Sequence, residues 1–269
     1  MARRLGRAAA VAVLTALVPS CLPTGRVTPW TEPVTGLTFV RLQPGTFVMG
    51  TPEGEPGREA QERLHEVTLS RAWYLATTEV TQRQWQRIMG TAPSYFAGCD
   101  ECPVEQVSLH DVQRFLGRWK AATGVDARLP SEAEWEFACR AGGRAAFGDA
   151  RGELSADDAN VDGTFPLPGK RPTAARARTT PVGSFPANAF GLYDMNGNVW
   201  EWTSDRHCPY PDGPATDPVG TCASPFMVIR GGSWHFDVAS ARCGLRYTHR
   251  PQDSGFSLGV RLALSDVPR

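Results

Sequence analysis

The sequence lacks charge of one sign. Its 28 Lys and Arg are matched by 28 Asp and Glu over 269 residues. A chain without a basic excess presents no nucleic-acid surface. It also lacks a long apolar run: Ala8 to Val18 is too short to span a bilayer. Histidine is scarce, five residues in all, and no two stand at zinc-ligand spacing. Cys99-x-x-Cys102 has no second CxxC to complete a metal site, which favours a local disulfide over a metal or redox reading. Internal repeats and low-complexity domains are absent, and after residue 143 signals for regular structure thin out.

What is present begins with an export-like leader. Arg3, Arg4 and Arg7 precede the apolar run, and Leu17-Val18-Pro19-Ser20-Cys21 follows it. That phrase looks like a lipobox, with Pro19 atypical in it, and predicts lipidation at Cys21; the alternative is ordinary signal cleavage nearby. The expectation is secretion across the inner membrane and residence as a periplasmic, outer-membrane or cell-surface lipoprotein. The membrane would be touched only through the lipid. Residues 22–35, rich in Pro and Thr, read as a tether, and 36–266 as one domain. Without Cys21 six cysteines remain, an even number suited to an oxidising compartment. Cys208 and Cys222 bracket a Pro/Gly/Asp loop; Cys139 and Cys243 are left over.

Three helices carry start signals. Thr81 with Gln84, Ser108 with Asp111 and Ser131 with Glu134 each open one; Gly90, Gly124 and Gly142-Gly143 stop them. Glu136 and Arg140 pair on the face of the third helix opposite Trp135. Short strands are expected on either side of Gln43-Pro44-Gly45, at 67–69, 73–75 and 181–185, then one from Val228 that runs into the Gly231-Gly232 turn, and a last one at 258–262. With 27 Gly, 22 Pro and 8 Trp, the chain reads as an irregular α+β fold of long loops pinned by indole rings.

The densest stretch is Gly191-Leu192-Tyr193-Asp194-Met195-Asn196-Gly197-Asn198-Val199-Trp200-Glu201-Trp202. Asp194 and Glu201 flank an Asn-Gly turn with free carbonyls between them, a set of hard oxygen donors suited to calcium. The competing reading makes the Trp pair core and the acids caps for loop amides.

Several phrases together resemble the formylglycine-generating enzyme, or sulfatase-modifying factor, family. They are Gly45-Thr46-Phe47-Val48-Met49-Gly50, Glu79-Val80-Thr81, the run from Arg128 to Glu136, the central stretch, Arg230-Gly231-Gly232-Ser233-Trp234 and Gly259-Val260-Arg261, in family order. The resemblance implies a variant of the C-type-lectin fold. It implies a structural calcium held by Asp194, Gly197, Val199 and Glu201. A second family metal site would start at Asn160-Val161, but its distal acid falls near Ala174, where none stands. It also implies a Cys139–Cys243 disulfide. The family's enzymes oxidise a sulfatase Cys with copper(I) held by two thiolates. Here that pair falls on Phe236 and Ala241, or on Ser233 and Val238 counted from the other end, so copper is not expected. Nor is iron, since the family's iron enzymes draw His ligands from an added domain. The chain is therefore read as a monomeric, non-catalytic binding or scaffold module for a protein or carbohydrate ligand. Its surface would be formed by His235, Phe236, Asp237, Arg246, Tyr247, His249 and Arg250. The alternatives are an oxygen-dependent formylglycine-generating oxidase, or another modifying enzyme on the same fold.

Overall fold

The computed structural model describes residues 28–148 and 152–267. The leader, Cys21 and the first part of the tether lie outside the described residues.

Three small sheets and three helices make the domain. The strands are β1 (Trp30–Thr31), β2 (Thr38–Leu42), β3 (Gly45–Met49), β4 (His65–Leu69), β5 (Trp73–Ala76), β6 (Ala127–Arg128), β7 (Trp200–Arg206), β8 (Ala215–Thr216), β9 (Met227–Arg230), β10 (Tyr247–His249), β11 (Leu258–Gly259) and β12 (Ala263–Leu264). They pair as β1-β2-β5-β12-β6, β10-β9-β7-β11 and β3-β4-β8. The helices are α1 (Gln82–Met89), α2 (Leu109–Thr123) and α3 (Glu132–Arg140).

All three helix starts carry the expected reciprocal cap, with the Ser or Thr side chain on the N3 amide and the N3 side chain on the cap amide. Each such cap contributes about 1 kcal/mol. Gly90 and Gly124 end α1 and α2 in the left-handed conformation. The third helix stops earlier than its Gly-Gly pair suggests: Ala141 itself turns left-handed, and its N–H donates to Phe137 O. Trp85 of α1 stacks on Phe115 of α2 with centroids 4.7 Å apart, which joins the two helices over the core.

Several expectations change. Residues 30–35 belong to the domain, because β1 pairs with β2 and the buried Glu32 carboxylate accepts from the Val34 and Thr35 amides. The domain therefore starts before residue 36. The two strands around Gln43-Pro44-Gly45 form as expected, β2 joining β5 and β3 joining β4. No strand forms at 181–185, which is turn. The expected last strand is split. Leu258–Gly259 runs parallel to β7, while Ala263–Leu264 crosses into the other sheet between β5 and β6. Glu136 and Arg140 are buried rather than on an outer face. Glu136 accepts from the Gly50 amide, Arg140 and Arg230, and Arg140 donates to Gly50 O. Among the described residues no helix is long and apolar enough to cross a membrane.

The disulfides are Cys99–Cys102, Cys139–Cys243 and Cys208–Cys222. The second joins residues 104 apart and is fully buried. Its joint replacement by Ser should cost about 4–5 kcal/mol on the loop-entropy scale, against about 3 kcal/mol for Cys208–Cys222. Urea unfolding of the two double variants checks the ranking.

Candidate functional site

The stretch from Gly191 to Trp202 winds through the centre of the molecule as turn and loop before entering β7. Its small polar residues hold other segments in place. Gly197 sits at φ +105° with its Cα against the Asn160 carbonyl, where any Cβ would come within 2.6 Å of that oxygen. Asn198, fully buried, accepts from Asn160 Nδ2 and the Thr180 amide. Asn196 accepts from the Gly148 amide and donates to Ala241 O beside the buried disulfide.

The two acids do not form a metal cage. Both oxygens of Glu201 accept from Arg261, at 2.7–3.0 Å, and Oε2 also accepts from Trp135 Nε1 at 2.6 Å. Asp194 accepts from the Gly183 amide at 2.6 Å. Among the described residues no group of three or more His, Cys, Asp or Glu is placed to hold a metal ion. The set Asp194, Gly197, Val199 and Glu201 thus does not fit calcium in this arrangement, because a guanidinium already occupies the carboxylate meant for the ion. Arg261 also donates to Ala76 O and Tyr193 O, so one buried cation ties this loop to β5.

The copper positions fare no better. Ser233 and Val238 are buried, Phe236 packs edge-on against Trp200, and Ala241 is buried under the disulfide strand. All six cysteines among the described residues are in disulfides. No thiolate is available, so the residues do not fit copper(I).

The same region instead carries a continuous ledge of rings. Tyr95 touches Phe96 and Phe256; Phe96 and Phe256 touch Trp234; His235 bridges Phe256 to Phe236; Phe236 and Trp200 meet Tyr247. Tyr95 is 68% exposed, Tyr247 42% and Phe256 38%. Arg178 lies over the Phe96 ring. Beneath the ledge, Ser233 Oγ and Trp200 Nε1 are buried without a protein partner. Such groups are costly to leave unpaired, about 1–3 kcal/mol each.

Of the surface expected from sequence, His235, Phe236 and Tyr247 lie together on this ledge. The others do not. Arg246 is buried, its guanidinium paired side-on with Glu132 at 2.6 and 2.8 Å. Asp237 caps the 3-10 helix Val238–Ala241 through Ser240. His249 is half-buried against Trp202, and Arg250 lies over Phe226. Phe256, at the end of the expected segment 235–256, joins them; Tyr95 and Phe96 were not foreseen, since they come from a loop far from that segment in the chain.

A model of the sulfatase-modifying factor enzyme 1-like domain matches residues 27–266. The chain belongs to that family. The match begins at residue 27, just before β1 at Trp30, which agrees with the earlier domain start. Formylglycine-generating enzyme of Mus musculus is 30% identical over 224 residues, 80% of this chain and 57% of that protein. The chain thus spans a little over half the length of that relative. The structure of PvdO from Pseudomonas aeruginosa superposes with TM-score 0.75 at 30% identity, covering 88% of this chain and 97% of PvdO. Treponema denticola variable protein 1, at 23% identity and TM-score 0.77, shares the fold over 89% of this chain and 99% of its own. The fold is the family's C-type-lectin-like one, mixed and poor in regular structure.

Two buried acids, Asp194 and Glu79, set the pH response expected of this fold. Burial raises the Asp194 carboxyl to about 6, against the lowering pull of the Gly183 amide and Arg261. Burial, then the charge of Asp194, raises Glu79 well above the ordinary carboxylate range. A group whose folded-state pKa is raised holds a proton that the unfolded chain releases, so its stabilisation is complete below the unfolded value and lost as pH climbs through about 6. Stability should therefore fall between about pH 4 and about pH 7, by up to about 3 kcal/mol for Asp194. Asp194→Asn should flatten that slope in urea titrations.

Proposed function

We propose that this chain is a non-catalytic recognition module of the formylglycine-generating enzyme family, exported and anchored by lipid at Cys21. The ring ledge around Trp234 is its ligand surface, and the ligand is a peptide segment of a partner protein. One observation supports the loss of oxidase chemistry above others: every cysteine among the described residues is oxidised, and apolar residues or Ser stand where a copper pair would. Oxygen activation on copper(I) needs two soft thiolates, and neither His235 nor Asp237 replaces them.

The ledge suits binding for physical reasons. Aromatic rings bury large area with little rotamer entropy to lose. The Arg178 guanidinium beside Phe96 supplies orientation. Loops on a rigid base are where such folds place recognition.

Incubation with copper(I), oxygen and a Cys-x-Pro-x-Arg peptide should leave the peptide mass unchanged by mass spectrometry. Conversion of the peptide Cys to formylglycine would overturn the proposal.

A further inference from the structure

The ring ledge has an uneven electrostatic border. Between Asp162 and Asp194 the chain carries Lys170, Arg171, Arg176 and Arg178 and not one acid. This basic segment is bonded to the ledge at its start. The Asp162 amide donates to Phe236 O, the Val238 amide to Phe165 O, and the Thr173 amide to Gly163 O. Its end returns to the rings, where the Arg178 guanidinium lies 5.8 Å from the Phe96 centroid. Asn160 Nδ2 pins that return by donating to Arg178 O.

Most charges near the Phe96 side are already matched. Lys170 pairs with Glu153, and Arg171 shares a small cavity with Glu153 and Asp158. Asp100 and Glu101 are both held by Arg83, and Asp253 stands 3.6 Å from His249. Glu105 is fully buried and accepts from the Phe96 amide. Arg176 and Arg178 are left over. Both are exposed; Arg176 lies over Phe185 and donates to Ala156 O, and Arg178 has only the Phe96 ring. Among the described residues neither guanidinium has a carboxylate partner.

The acids of the border stand elsewhere. Asp162 and Asp237 meet in a backbone bridge beside Phe236, and each commits one oxygen, to Thr164 and to Ser240. Trp234 and His235 lie between Phe96 and Phe236. Unmatched positive charge therefore sits beside Phe96, and negative charge beside Phe236. A guanidinium resting on a ring keeps its N–H edge free, and that edge fits a carboxylate with two parallel bonds.

We propose that the peptide taken by this ledge is acid-flanked. A large apolar side chain settles on the rings around Trp234, and a carboxylate on its Phe96 side accepts from Arg178, with Arg176 adding to the field. Asp162 and Asp237 repel that carboxylate from the Phe236 side, so the charge border sets the direction of the peptide as well as its class. This inference rests on the ledge being the ligand surface.

A displayed library of random peptides, selected on the protein, supplies the probes. The enriched peptides are synthesised and titrated by calorimetry into wild type, the double variant Tyr95→Ala/Phe256→Ala, Arg178→Gln and Arg178→Glu. All three positions are exposed, so the variants should fold, which circular dichroism checks. Enriched peptides should carry Asp or Glu beside a large apolar residue and lose binding to the ring variant. Arg178→Gln should weaken them about fivefold and Arg178→Glu about tenfold or more, with both losses shrinking as salt is added. Ring-dependent peptides without an excess of acids, or with affinity unchanged in both Arg178 variants, would overturn this inference and leave the ledge as ligand surface. No enrichment, or peptides indifferent to Tyr95→Ala/Phe256→Ala, would overturn both.

Discussion

Buried arginines, each gripping carboxylates from distant segments, are what the rest of this structure depends on. Arg261 holds Glu201, Arg230 holds Glu136 and Glu132, Arg242 holds Glu62, and Arg246 holds Glu132. Half of the twelve strands are two or three residues long, and much of the chain is loop. Ladders that short fix little by themselves. The ion pairs supply the long-range restraint: Arg242 reaches Glu62 across 180 residues and Arg246 reaches Glu132 across 114. Desolvating such charges is costly, so the pairs are weak evidence of net stability. Removing one partner, however, costs about 3–5 kcal/mol because the other is left buried and alone. They determine which arrangement of loops is reached.

The functional surfaces are built on those pairs. Glu201 faces Arg261 on one side of β7, and on its other face Trp200 supports the ring ledge. Arg246, which sequence placed on a binding surface, instead closes the ion network by pairing with Glu132.

Much of this was legible in the chain. The three capping boxes are local, each set by two residues three apart, and all three form. The ordered phrases carried the family and the fold, and with it the Cys139–Cys243 pairing. Non-local pairing was not legible. Glu136 and Arg140 at helical spacing look like a solvent-facing pair, and nothing nearby in sequence announces that Arg230 and Gly50 will enclose them. Likewise Tyr95 and Phe256 join one ledge only because the loops that carry them meet at Trp234. Glu201 looked like a calcium ligand because its guanidinium partner lies 60 residues downstream, in a phrase that reads as strand.

Arg261, a fixed cation, does the organising that a bound metal would do for the loop from Gly191 to Trp202. Thermal unfolding in calcium and in a chelator tests it most directly. The midpoint should be one and the same in both. A midpoint raised by calcium in the wild type, and no longer raised in Glu201→Ala, would contradict it.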